Sequence, residues 1–128
     1  MRKSGLLITL FFLAIGVSAQ TKTGIIKGRL VYTSCASVVV EILSDEYYYL
    51  GQEEWEAPND HSETYQHVFL VKNRCDFLRK SIGLGEEFEF VVEGDNGKNT
   101  GCVQCLMYDS PPHTRLTIDV VKRKNNGQ

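Results

Sequence analysis

Four cysteines, Cys35, Cys75, Cys102 and Cys105, follow an apolar leader, and this combination constrains the chain more than any other feature. Arg2 and Lys3 form a charged start. Residues 6–17 are then apolar except for Thr9 and Gly16, and Val17, Ser18 and Ala19 supply small residues before Gln20. That three-part layout predicts a signal peptide over residues 1–19, cleaved to leave a periplasmic or secreted chain. The apolar run is shorter than the roughly 20 residues that a membrane helix needs. No cysteine follows it closely, so a lipid-modified N-terminus is not expected. In an oxidising compartment an even number of cysteines reads as disulfides. Three pairings are open, and spacing alone does not choose among them. Closing a loop of many tens of residues contributes about 3–5 kcal/mol in chain-entropy terms. Against a total stability of about 5–15 kcal/mol, the cysteines have a structural purpose without any catalytic one.

The charge balance narrows the partners. The chain has 14 basic and 16 acidic residues, and the leader takes two of the basic ones, which leaves 12 − 16 = −4. General phosphate-backbone binding relies on Lys and Arg, so no nucleic-acid partner is expected. Residues 45–63 hold Asp45, Glu46, Glu53, Glu54, Glu56, Asp60 and Glu63 without a Lys or Arg. This run reads as solvated surface or as a lobe for a cation or partner. No segment after the leader is apolar enough to cross a membrane. Residues 20–124 suit a single domain with a small core, and 125–128 are expected to be a disordered tail.

Hydrophobic periodicity predicts five strands and one helix. Residues 24–33 (GIIKGRLVYT) place Ile26, Leu30 and Tyr32 on one face, with Gly28 marking a bend or bulge. After a small-residue turn (SCAS), residues 38–43 (VVVEIL) form the second strand of a hairpin. Residues 45–66 read as a long acidic loop, with a hairpin excursion around 47–55. Residues 67–72 (HVFLVK) are the third strand. Residues 76–82 (DFLRKSI) are the helix, with Phe77, Leu78 and Ile82 inward and Gly83 and Gly85 ending it. Residues 86–93 (EEFEFVVE) alternate most cleanly. Residues 114–122 (TRLTIDVVK) close the domain, with Leu116, Ile118 and Val120 inward.

Strand, strand, strand, short helix, strand, strand resembles the OB-fold, a five-stranded Greek-key barrel with its helix between strands three and four. The stretch IGLGEEFEFVV is similar to the helix-exit and fourth-strand passage of such barrels. The segments YTSCASVVVEIL, HVFLVKNRCDF and CVQCLMYDSPP resemble small exported proteins of Gram-negative bacteria, a group that implies no mechanism. The alternative architecture is an immunoglobulin-like β-sandwich, which needs about seven strands and no central helix.

Cys102-Val103-Gln104-Cys105 is a CxxC with three readings. Both cysteines pair outward to Cys35 and Cys75, or they form a redox dithiol, or all four cysteines ligate zinc. A redox pair wants a helix N-terminus, whereas Asp109, Ser110, Pro111 and Pro112 follow soon after. A zinc site wants two such motifs or supporting histidines, and Cys35 and Cys75 are isolated. The preferred reading is outward pairing. His61 and His67 flank the acidic loop and, with Asp60 and Glu63, are the alternative metal ligands. The run lacks the alternating acidic spacing of a calcium loop. No nucleophile, phosphate-loop or metalloprotease motif is present, so no enzyme activity and no cofactor are expected. Tyr47, Tyr49, Trp55 and Tyr65 crowd the acidic stretch. Tyr and Trp are efficient contact residues, and residues 47–65 are the expected partner surface. The functional expectation is an exported, disulfide-stabilised binding module for a peptide, a glycan or an envelope protein. The alternative is a metal-binding protein that uses the cysteines or the His61–His67 region.

Overall fold

The computed structural model describes residues 23–58, 63–95, 99–103 and 105–124. The expected leader (1–19), the tail (125–128) and His61 lie outside the described residues. The elements are β1 (Ile26–Thr33), β2 (Val38–Ile42), a 3-10 helix (Asp45–Leu50), β3 (Gln52–Glu56), β4 (Thr64–Val71), α1 (Arg74–Leu78), β5 (Glu87–Glu93) and β6 (Arg115–Arg123). The described residues are mainly β, as the periodicity predicts, but they hold six strands instead of five. The additional strand, β3, lies in the stretch expected to be a long loop with a hairpin excursion around 47–55. It begins instead at Gln52 and pairs with β4, while residues 45–50 form the 3-10 helix. The β3 sequence, QEEWE, carries one apolar residue, so period-two alternation had nothing to register there.

All six strands join one sheet in the order β2-β1-β5-β6-β4-β3, and a further β2–β4 pairing closes five of them into a ring. β4 makes this possible by pairing three ways. It meets β3 over residues 64–68, β2 through Val68, Phe69 and Leu70, and β6, in parallel, through Leu70 and Val71. A closed ring is not the pair of facing sheets that the sandwich alternative requires.

The main core fills the ring. Ile26 and Leu30 of β1, Val40 and Ile42 of β2, Phe69 and Val71 of β4, Phe88 and Phe90 of β5, and Ile118 of β6 are buried there with Phe77 of α1. Gly28 does not mark the bulge in β1. A Cβ on it would lie 2.8 Å from Phe90 and 3.0 Å from Val40, so its role is to let those side chains cross the strand. The irregularity falls later, as a register shift between Leu30 and Tyr32. Leu30 pairs with Val40 of the main core, whereas Tyr32 pairs with Val39. The shift therefore takes Tyr32 off the face of Ile26 and Leu30 that simple alternation gave it. A bulge inserts one residue, and one residue reverses facing. Tyr32 packs instead against a second cluster of Val39, Trp55, Ala57 and Val68, where Val31 and Tyr65 also lean. β2 has buried valines on both faces, which explains its unbroken VVV run.

α1 is shorter than expected and starts earlier. Cys75 and Phe77 turn inward, while Leu78 is 39% exposed and does not join the core. A helix of little more than one turn has only a narrow inward face, and those two residues fill it. Just before it, Asn73 behaves like a piece of strand. Its Nδ2 donates to the Ile118 carbonyl at 2.7 Å, and its Oδ1 accepts from the Ile118 N–H at 3.0 Å. Both bonds are buried. Asn73→Ala is expected to cost about 2–3 kcal/mol, because two buried backbone groups of β6 lose their partners. Chemical denaturation measures this, and a cost below about 0.5 kcal/mol would show that water replaces the side chain.

Candidate functional site

Among the described residues, the connection between β5 and β6 (94–95, 99–103 and 105–114) holds no strand or helix and supplies one cysteine to each disulfide. Turn formers and two prolines keep it from forming a strand or helix of its own. Cys75–Cys102 ties its first half to α1, and Cys35–Cys105 ties its middle to the β1–β2 turn. Both CxxC cysteines thus pair outward. That overturns the redox-dithiol reading and the zinc reading through cysteines, since no thiolate remains to ligate metal. Two disulfides also fit an oxidising environment.

Polar contacts support the same loop. Arg79 donates to the Thr100 carbonyl at 2.6 Å, Arg74 donates to the Val103 carbonyl at 2.9 Å, and the Cys75 N–H donates to Asn99 Oδ1 at 3.0 Å. Further along, Asp109 docks on the β1–β2 turn. Its carboxylate accepts from Tyr32 OH at 3.1 Å, Ser37 Oγ at 2.6 Å and Ser34 Oγ. Ser34 is held for this task, because its Oγ also accepts from the N–H groups of Ala36 and Ser37. The small residues of SCAS give the turn its tightness, and its serines make it a carboxylate cradle. One residue on, the Ser110 carbonyl accepts from Trp55 Nε1 at 2.9 Å, and Pro112 is buried.

Burial pushes the Asp109 carboxyl up, but the hydrogen bonds from Ser34, Ser37 and Tyr32 outweigh it and hold the group below its ordinary value. Burial, then the bond to Asp109, raises Tyr32 in turn. A depressed carboxyl stabilises the fold above the ordinary aspartate range, near pH 4, and loses that contribution as pH falls through its folded value. The stability gap between wild type and Asp109→Asn is therefore expected to be full at pH 7 and to close below about pH 4. Denaturation midpoints across that range check it. A gap independent of pH would mean that the carboxylate charge is irrelevant to the anchor.

On this braced loop the side chains point the wrong way for stability. Val103 is 83% exposed, Met107 56%, Tyr108 76%, and Leu106 is fully open. Single exposed apolar residues are ordinary, but four within six positions of one disulfide-held loop are a concentration of the kind found at contact sites. Sequence reasoning missed them. The available signal was LMY, an apolar triplet between a CxxC and a DSPP turn, in a stretch that no strand or helix claims.

The aromatic residues singled out by sequence divide into two pairs. Tyr47 and Tyr49 lie 6.5 Å apart on the 3-10 helix. Tyr47 is half-buried and accepts from the Gly24 N–H, and Tyr49 is 75% exposed. Trp55 and Tyr65 lie 6.3 Å apart in the second cluster. Trp55 is only 5% exposed, which makes it a core residue and not contact surface. Tyr65 donates to Glu63, and that bond, with burial, pushes its hydroxyl up to about 12. His67 stacks flat on Tyr48 with ring centres 3.9 Å apart. Among the described residues, no group of three or more His, Cys, Asp or Glu side chains is placed to hold a metal ion.

Two surface grooves, of about 330 and 540 Å³, lie beside α1 and across β1, β5 and β6. Their linings contain no His, Cys or Ser, and several of their charged groups are already paired, such as Asp76 with Arg79 and Glu87 with Lys124. No helix among the described residues is long and apolar enough to cross a membrane. Comparison with protein families, with curated proteins and with solved structures gives no match.

Proposed function

We propose that this chain is an exported protein-interaction module on an OB-like Greek-key barrel, with the β5–β6 loop as its contact surface. The observation that carries the reading is the display of Val103, Leu106, Met107 and Tyr108 on a loop fastened by two disulfides. A loop that served only the fold would turn such side chains inward. A loop that merely floated would not carry two covalent braces. Holding a contact surface rigid before the partner arrives lowers the entropy lost on binding.

The strand arrangement supports the barrel. Around the ring the order is β1-β2-β4-β6-β5, with β4 and β6 parallel and α1 between β4 and β5. Leaving out β3, this is the succession one-two-three-five-four. OB barrels bind through the loops joining strands one to two and four to five. The counterparts here are the SCAS turn and residues 94–114, which Cys35–Cys105 joins directly. Aliphatic Val, Leu and Met favour an apolar protein pocket over a hydroxyl-rich glycan. The acidic charge balance also disfavours an anionic lipid surface.

Leu106→Ser with Met107→Ser is expected to leave stability within about 0.5 kcal/mol and to weaken partner binding at least about tenfold. A photo-crosslinking residue at position 106 or 108 in the exported protein should yield one discrete protein adduct that the double variant loses. The same probe at exposed Leu84 or Val121 should not. Equal adducts from all four positions, or flotation of the pure protein with lipid vesicles, would overturn the reading.

A further inference from the structure

Resting on the docking-loop reading above, we infer that Cys35–Cys105 is a reducible clamp. Opening it loosens the contact surface without unfolding the domain. The two disulfides differ in what they hold and in how they can be reached. Cys75 is 1% exposed, and Arg74 Nη1 lies 3.4 Å from the Sγ of its half-buried partner Cys102. Cys35, by contrast, is exposed on the β1–β2 turn. Thiol–disulfide exchange needs direct access of a thiolate to one sulfur of the bond, and the Cys35 side is open to it.

The chemistry needs a dithiol reductant. One of its thiolates attacks Cys35 Sγ. The Cys35–Cys105 bond breaks, its electron pair leaves on Cys105 Sγ, and that sulfur takes up a proton. The second thiol of the reductant then attacks the mixed disulfide and releases Cys35 as a thiol. The protein gains two electrons and two protons, and the reductant becomes a disulfide.

The position of Cys105 makes this consequential. Leu106, Met107 and Tyr108 lie between two anchors, the Cys105 disulfide and the Asp109 carboxylate. Opening the clamp frees the first anchor only. Cys75–Cys102, the Arg74 bond to Val103, the Asp109 cradle and the Trp55 bond to Ser110 all persist. The three displayed side chains then sit on a longer span, held only at Val103 and Asp109, and a partner must order them on binding. That loss of preorganisation is expected to weaken binding by about tenfold or more.

Graded dithiothreitol treatment of the native protein, alkylation and peptide mapping test the clamp, together with hydrogen exchange. Cys35 and Cys105 should be alkylated at reductant levels at least tenfold below those that open Cys75–Cys102. Exchange should rise at Leu106–Tyr108 while amides of β1, β4 and β5 stay protected. Simultaneous opening of both disulfides, global loss of protection, or unchanged exchange at Leu106–Tyr108 would overturn the inference. The Cys35→Ser, Cys105→Ser double variant gives the open state without reductant. Adduct yield from a photo-crosslinker at position 106 should fall in it. An equal yield from closed and open forms would overturn the clamp and leave the docking loop standing. No adduct even from the closed form would overturn the docking loop itself.

Discussion

Replacing Cys75 and Cys102 together with serine is expected to cost more stability than replacing Cys35 and Cys105, although it opens the shorter loop. The two bridges span 27 and 70 residues. Chain entropy alone assigns them about 3.5 and about 4.4 kcal/mol, in favour of the longer one. Burial reverses the order. Cys75 is 1% exposed on the inward side of α1, so a serine there buries a hydroxyl without an assured partner, at about 1–3 kcal/mol. The total for that pair reaches about 4.5–6.5 kcal/mol, a large share of what a domain of this size possesses. Cys35 sits on an exposed turn, where serine is already a neighbour on one side, and its replacement adds little beyond the entropic loss. Urea unfolding of both double variants at neutral pH gives the comparison. If Cys35→Ser, Cys105→Ser proves the costlier, loop length governs these bridges and burial does not.

The parts of the fold that followed from sequence are those where one local signal acts alone. β5 alternates Phe88, Phe90 and Val92 against glutamates, and the structure sets it between β1 and β6 with both phenylalanines buried. β6 was legible in the same way. β3 was not, because it is made by its partner. Glu54, Trp55 and Glu56 pair with Gln66, Tyr65 and Thr64, and a strand formed by such pairing needs no pattern of its own. Tyr32 failed for a related reason. Alternation assumes an unbroken register, and the shift after Leu30 is set by packing of Val39 and Trp55 far along the chain. The candidate site divides similarly. That the cysteines form disulfides followed from compartment and composition, and outward pairing was a preference, but which outward pairing forms was not legible. The cradle for Asp109 was not, since it joins Ser34 and Ser37 to a residue more than seventy positions away. The displayed residues were hidden by the usual inference that Leu, Met and Val belong inside. Only the disposition of the disulfides shows that this loop has no inside to offer them.

Truncating Trp55 to alanine is expected to cost about 3–5 kcal/mol, whereas Tyr49→Ala should cost less than about 0.5 kcal/mol. The pair separates two views of the acidic aromatic stretch. As a contact surface, both substitutions would leave the fold intact and impair binding. As built, Trp55 is the keystone of the second cluster. It meets the Tyr32 ring edge-on with centres 5.5 Å apart, stacks near Tyr65, and packs with Val39 and Val68. Alanine leaves a cavity on the outside of the ring and strips the Ser110 carbonyl of its donor. That second loss couples the stretch to the braced loop. Trp55 holds Ser110 and the Tyr32 cradle holds Asp109, so the two anchors are consecutive residues of one strap. Trp55→Phe, which keeps most of the packing and removes the indole N–H, isolates this contribution at about 1 kcal/mol. Combined with Asp109→Asn it should cost less than the sum of the two singles, since a strap released at one residue has less to lose at the next. Strict additivity across that cycle would mean that the loop is held at independent points, and that Trp55 serves the second cluster alone.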